Sequence, residues 1–212
     1  MNTKSQHLET LSEIRSIMER STRFISLNGL AGVFAGIFAL IGAAAAFFHI
    51  GHAGRVYPSS STYDTPEVFS YTSYYIFFFI DAILVLSASI AVAVFLSVRK
   101  ARRKGLKIWD HSAKRVLFNL LVPLSAGGFF SLILFYHGQF GLIAPAMLIF
   151  YGLALFTTSK YTFSDIRTLG LIELFLGIVS AFFIGYGLLF WAIGFGLMHI
   201  VYGILLFVKY ER

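Results

Sequence analysis

Apolar residues in this chain come in long runs. They neither alternate as in a half-buried strand nor form the narrow stripe of a surface helix. The run YYIFFFIDAILVLSASIAVAVFL, residues 74 to 96, contains one charge, Asp81. A membrane helix needs about 20 apolar residues at roughly 1.5 Å each. Stretches that meet this are 24–49, 71–98, 115–136, 140–158, 168–186 and 188–208. They predict an all-α domain of six transmembrane helices over 24–212. Only HGQ separates the third and fourth spans, and only the neighbourhood of Gly187 separates the fifth and sixth. Such short connections force antiparallel neighbours, so the expected architecture is three antiparallel hairpins. The polar segment 1–23 carries Leu8, Leu11, Ile14 and Met18 at helical spacing, with Glu9, Glu13, Arg15 and Glu19 between them. It reads as an amphipathic helix on the membrane surface, a cap beneath the bundle or a docking surface for a partner protein.

Charge gives the spans a direction. An even number of spans returns the chain to its starting side. On that side the segments 1–23, 99–115, 160–167 and 209–212 hold all the Lys and Arg except Arg55. The positive-inside rule makes this face cytoplasmic and places both termini there. Composition agrees: 58% of residues are hydrophobic and 13% charged, against about 25% charged in soluble domains. The start of the chain mixes acidic and basic residues, unlike a secretory signal, so the first apolar stretch is expected to stay as a span. The tract Arg99–Arg115 is expected to meet anionic lipid headgroups, and no direct contact with nucleic acid is expected. Without cysteine there are no disulfides, thiolate metal sites or thiol nucleophiles.

An internal match supports the hairpin scheme. AMLIFYGLALF (146–156) aligns with LMHIVYGILLF (197–207), pairing Met147 with Met198, Tyr151 with Tyr202 and Gly152 with Gly203. Each odd span also carries a basic residue followed by a polar one: Arg23 and Asn28, Arg115 and Asn119, Arg167 and Glu173. The expectation is a parallel pseudo-repeat about an axis along the membrane normal. Small residues stand at helix-packing spacing, as Gly32 and Gly36 in the first span and Gly177, Ala181 and Gly185 in the fifth. The Gly32–Gly36 face would also permit a homo-oligomer. Pro145 is expected to bend the fourth span.

Ionisable groups inside apolar spans are expensive and point to function. Asp81 lies about ten residues from the outer end of its span, where insertion scales charge roughly 2.5–3.5 kcal/mol for an ionised carboxylate. His49 and His52 form an H-x-x-H at the outer end of the first span. His137 caps the third, and His199 lies about eleven residues into the sixth. Asp81 with these four histidines forms a candidate pocket for a ligand or proton, open to the exterior. The structural alternative is that Asp81 hydrogen-bonds across a helix interface and the histidines are interfacial. No cofactor is expected; the lesser alternative is a metal ion held by His49, His52, Asp81 and His137, residue types that suit zinc. At the other end Asn28, Asn119 and Glu173 form a candidate cytoplasmic polar ring, against the plainer reading that each satisfies backbone groups near a helix end. No P-loop, dinucleotide fingerprint, nucleophile elbow or HExxH occurs.

The segment ETLSEIRSIMERSTRFISLNGLAGVFAGIFALIGA (9–43) resembles the start of a group of small multi-span inner-membrane proteins of Bacteroidota-type bacteria. The glycine-punctuated stretch 169–207 is similar in composition to acid-resistance membrane proteins of the HdeD type. The first resemblance implies the bacterial inner membrane, and neither brings an activity or catalytic residues. Taken together, these features favour a non-enzymatic sensor or accessory subunit that binds a small ligand or a partner protein. The alternatives are a small ion or solute channel or transporter and, third, an intramembrane metal-dependent hydrolase.

Overall fold

A computed structural model describes residues 28–56, 67–103, 105 and 111–210, with side chains for 28–50, 76–103, 105 and 111–210. The amphipathic segment 1–23 and the loop at 57–66 lie outside these residues. The described residues are almost all helical, and none of them is in a strand. The helices are α1 (Gly29–Val56), α2 (Glu67–Arg103), α3 (His111–Tyr136), α4 (Ile143–Thr158), α5 (Asp165–Phe182) and α6 (Gly187–Tyr210). All except α5 are long and apolar enough to cross a membrane, which marks the chain as a multi-pass membrane protein. Helix α5 has 18 residues and carries Asp165, Arg167 and Glu173.

Asn28 starts α1 by accepting the Leu30 N–H on Oδ1 at 2.9 Å and the Ala31 N–H on its carbonyl at 3.1 Å, the bonds of an N-cap. The turns into α4 and α6 use Gly138 (φ 71°) and Gly185 (φ 106°), left-handed conformations that a Cβ would strain. Gly185 is therefore a turn residue, not part of the small-residue face expected of the fifth span. A 3-10 turn, Phe140–Leu142, leads into α4, and Pro145 falls in the first turn of that helix. Proline is tolerated there, so the expected bend has no need to form. The proline inside a helix is Pro123 of α3.

Glycines bring the backbones together. A Cβ on Gly152 of α4 would lie 2.6 Å from both the Gly170 carbonyl and the Leu174 nitrogen of α5. A Cβ on Gly203 of α6 would lie 2.8 Å from the Gly29 carbonyl of α1, and one on Gly32 would lie 3.2 Å from Gly203 Cα. Helices α4 with α5, and α1 with α6, thus make the closest approaches, where small residues replace the hydrophobic drive that lipid cannot supply. The Gly32–Gly36 face is covered by α6 of the same chain. Helix α3 packs on α4, with Gly127 against Phe150, and α2 packs on α1, where its apolar window is otherwise unburied.

Contacts also gather the basic helix ends. Lys209 and Tyr210 at the end of α6 bond the Asp165 carboxylate at the start of α5, at 3.0 and 2.7 Å. Arg115 of α3 lies over Tyr161, and Arg167 of α5 over Phe156. Asn28, Arg99, Lys100 and Phe207 line one cavity between α1, α2 and α6. Asp165 precedes the apolar part of α5. Burial alone would raise its pKa, but the hydrogen bonds from Tyr210 and Lys209 and the Lys209 charge outweigh that and hold it below the usual carboxylate range.

Candidate functional site

The inner face of α5 reads Ile166, Leu169, Gly170, Glu173, Gly177 and Ser180, a 3- and 4-residue spacing that points all six inward. Gly170 and Gly177 flank Glu173 and admit the α4 backbone. On the third side, Gly194 of α6 leaves a gap that a Cβ would close against the Glu173 carboxylate and Leu148. Glu173 is thereby sealed in with zero exposure. It stands eight residues from the start of α5, about 12 Å along the axis.

His199 meets it from α6. Its Nδ1 lies 3.0 Å from the Gly194 carbonyl, and its Nε2 lies 2.6 Å from the Tyr151 hydroxyl of α4. A carbonyl can only accept, so Nδ1 carries the proton. In the neutral ring Nε2 is then the acceptor and Tyr151 donates to it. Glu173 Oε1 lies 3.5 Å from Nδ1, longer than a good hydrogen bond. Neither Glu173 oxygen has a hydrogen-bond partner among the described residues. The imidazole is fully satisfied, while its carboxyl neighbour is not satisfied at all. Most buried polar atoms in native proteins are paired, so such an exception calls for a role.

The backbone is unusual at the same place. Ala192–Met198 of α6 is π-helical and ends where His199 begins. Such segments are rare and occur often at functional sites. Here the segment contains Gly194, whose carbonyl holds His199 and whose missing side chain admits Glu173. Trp191, Phe195 and His199 line up one turn apart, and Tyr151 packs at 5.0 Å on Phe195. The site is a carboxyl, an imidazole and a phenol from three helices, walled by aromatic rings in the middle of the bundle.

The residues singled out from sequence distribute differently. Asp81 lies over Gly42 of α1, whose added Cβ would stand 3.2 Å from Oδ2. His49 stacks on Phe77 at 4.0 Å, two turns of α1 beyond Gly42, so it shares the α1–α2 interface with Asp81 but is engaged with a ring. His137 is exposed in the turn after α3, edge-on to Tyr136. The side chain of His52 lies outside the described residues. His199 belongs elsewhere: Gly32 meets its carbonyl and Gly42 meets Asp81, ten residues or roughly 15 Å apart along α1. Asn28 caps its own helix, and Asn119 donates to the Arg115 carbonyl at 2.8 Å. Among the described residues no three His, Asp or Glu side chains converge as metal ligands. The structure brings together Glu173 and His199, which sequence reasoning placed in separate groups, and adds Tyr151, which it noticed only in the repeat.

Comparison with protein families, curated proteins and solved structures finds no match to this chain.

Proposed function

We propose that this is a six-span protein of the bacterial inner membrane, with both termini cytoplasmic, that acts as a proton-responsive sensor or accessory subunit rather than an enzyme. The observation that carries this reading is Glu173: a carboxyl sealed at mid-bundle, without a hydrogen bond from any described residue and with an imidazole at 3.5 Å. Ionised beside a neutral imidazole, it is an uncompensated charge in an apolar interior, which costs several kcal/mol. One added proton removes that charge if it stays on the carboxyl. If it resides on His199, it creates an ion pair. In the ion pair Nδ1–H turns from the Gly194 carbonyl toward Oε1, releasing a backbone acceptor within the π segment. Proton occupancy is thereby read out as a change in α6. Among the described residues, the ionisable groups facing the site are Tyr151 from α4, Glu173 from α5 and His199 from α6.

Two features support the finer architecture. The matched glycines Gly152 and Gly203 perform the same task, each admitting a glycine-bearing neighbour helix, as a pseudo-repeat of hairpins requires. The basic residues share one end through contacts among α1, α2, α5 and α6, which favours the cytoplasmic assignment of that end.

Trp191 stands beside Phe195 at the π segment and serves as a reporter. With Trp109 replaced by Phe, its fluorescence in reconstituted vesicles is expected to respond to pH between 5 and 8, and to lose that response in Glu173→Gln. A signal that ignores pH, or one unaltered by that substitution, contradicts the proposal. The second reading, a proton-linked channel or transporter, draws on the same residue, because intramembrane carboxyls also mark ion paths. It predicts proton flux across the vesicle wall that Glu173→Gln abolishes; the sensor reading predicts none.

A further inference from the structure

Helix α3 carries Pro123 in its interior. A proline has no N–H, so the carbonyl four residues earlier, that of Asn119, loses the donor that an α-helix supplies. The Asn119 side chain is engaged elsewhere, its Nδ2 donating to the Arg115 carbonyl at 2.8 Å. The Thr157 hydroxyl of α4 lies 3.1 Å from the Asn119 carbonyl. Its other acceptors within reach belong to its own helix, Leu153 at 2.9 Å and Ala154 at 3.0 Å. Threonines in helices commonly bond back in this way, which would explain the side chain without α3. The acceptors differ in what they need, however. The Leu153 and Ala154 carbonyls stand in an unbroken α-helical ladder, whereas that of Asn119 has lost its ladder donor. One hydroxyl proton thus has two directions to choose from, and it gains more where the ladder donor is missing. Packing is also unequal on the two sides of Pro123. Beyond it, Gly127 admits the Phe150 side chain, and Phe130 meets the Phe150 ring at 5.7 Å. Before it, the buried residues are the smaller Ser112, Ala113 and Val116, and Arg115 lies over Tyr161 at 5.9 Å, the outer limit of such contacts.

We infer that α3 is hinged at Pro123 and that Thr157 is its latch. Donating to Asn119, the hydroxyl ties the first half of α3 to α4. Turned back on Leu153 or Ala154, it lets that half, residues 111–119, swing while the second half stays seated on Phe150. Prolines kink helices where a carbonyl is freed, and hydroxyls of neighbouring membrane helices re-satisfy such groups. The swing carries Lys114 and Arg115, both exposed, and so moves charge at the basic end of the bundle. The hinge does not depend on the role of Glu173.

The chain has no cysteine, so introduced pairs take spin labels cleanly. Double electron–electron resonance of the full chain in nanodiscs follows two pairs. K114C/L171C spans from the first half of α3 to α5, and F129C/F182C from its second half to α5; all four positions are exposed. Removing the hydroxyl in Thr157→Val should raise the population at a second K114C/L171C distance roughly threefold, the equivalent of an average hydrogen bond between membrane helices. The F129C/F182C distances should not change. Thr157→Ser keeps the donor and should match wild type. In Pro123→Ala the N–H at position 123 supplies the Asn119 carbonyl, so adding Thr157→Val to it should have no effect. A K114C/L171C distribution unaltered by Thr157→Val removes the latch. Broadening of both pairs is general loosening and overturns the hinge. An effect of Thr157→Val that persists beside Pro123→Ala shows that the freed carbonyl is not what Thr157 holds, and overturns it too. Circular dichroism and size-exclusion chromatography identify variants that fail to fold, and Thr157→Ala carries the comparison if Thr157→Val is one of them.

Discussion

Replacing Glu173 with leucine should leave the protein as stable as before, or more so. Its partners give the reason. His199 keeps both of its hydrogen bonds, to Tyr151 at 2.6 Å and Gly194 at 3.0 Å, when the carboxyl is gone. The Glu173 oxygens bond to no described residue, so removing them orphans nothing. What disappears is the cost of a polar group buried without partners. Exchanging buried charged groups for apolar ones of similar volume is often neutral or stabilising by about 1–4 kcal/mol. The unfolded chain in a membrane also bears part of that cost, so the expected gain is about 0–2 kcal/mol. Methionine, unbranched and adaptable, controls for the fit of leucine against Gly194 and Leu148. Tyr151→Phe provides the opposite sign. It leaves the buried Nε2 without its donor and should cost about 1 kcal/mol, within the range of interhelical hydrogen bonds in membranes. Reversible unfolding in mixed micelles measures all three. If Glu173→Leu and Glu173→Met both lose more than about 1 kcal/mol, the carboxyl makes a stabilising bond and the reasoning fails.

Three further outcomes follow from the packing. Gly152→Ala drives a Cβ into the α5 backbone and should destabilise by about 1–3 kcal/mol despite alanine's better helix propensity, whereas Gly128→Ala, in open space, should be neutral or stabilising by up to about 1 kcal/mol; thermal unfolding of the pair decides, and equal effects contradict the close α4–α5 contact. Because the folded pKa of Asp165 is depressed, its contribution is present above the unfolded carboxyl value of about 3.9 and is lost as pH falls through the lower folded value. Melting curves from pH 7 to pH 3 should therefore show an acid-dependent loss that Asp165→Asn removes; an unchanged profile argues against the Lys209–Tyr210 clasp. Asp81→Asn, away from the triad, should leave the pH response of Trp191 intact while changing stability at the α1–α2 contact, and loss of that response would tie Asp81 to the site after all.

Hydrophobic run length made the helices legible, because lipid demands about 20 apolar residues whatever their order. Helix ends were less so. Helix α2 runs to Arg103, well past its apolar stretch, since a helix can continue into the headgroup layer with its last turn stabilised by cations. From sequence Pro145 predicts a bend, because its position relative to the start of α4 depends on the preceding 3-10 turn, which no periodicity announces. For the site, Glu173 and His199 stood out individually as ionisable groups in apolar segments, but grouping them by nearest surface separated them. Counting from the basic end would have paired them. Glu173 is eight residues into α5 and His199 eleven from the end of α6, about 12 and 16 Å deep. Tyr151 could not be found this way, since one tyrosine among 11 has no mark of its own. Nor could the π segment, which no spacing of residues in the sequence announces.

Infrared difference spectroscopy of the reconstituted protein tests the exchangeable proton most directly. The account predicts a spectral change between pH 5 and pH 8, a carboxylic-acid carbonyl band when the proton is on Glu173 or imidazolium ring bands when it is on His199, that is absent from Glu173→Gln and altered in Tyr151→Phe. A spectrum with neither change, or one in which the change survives the substitution of Glu173, would place the proton elsewhere and contradict the central claim.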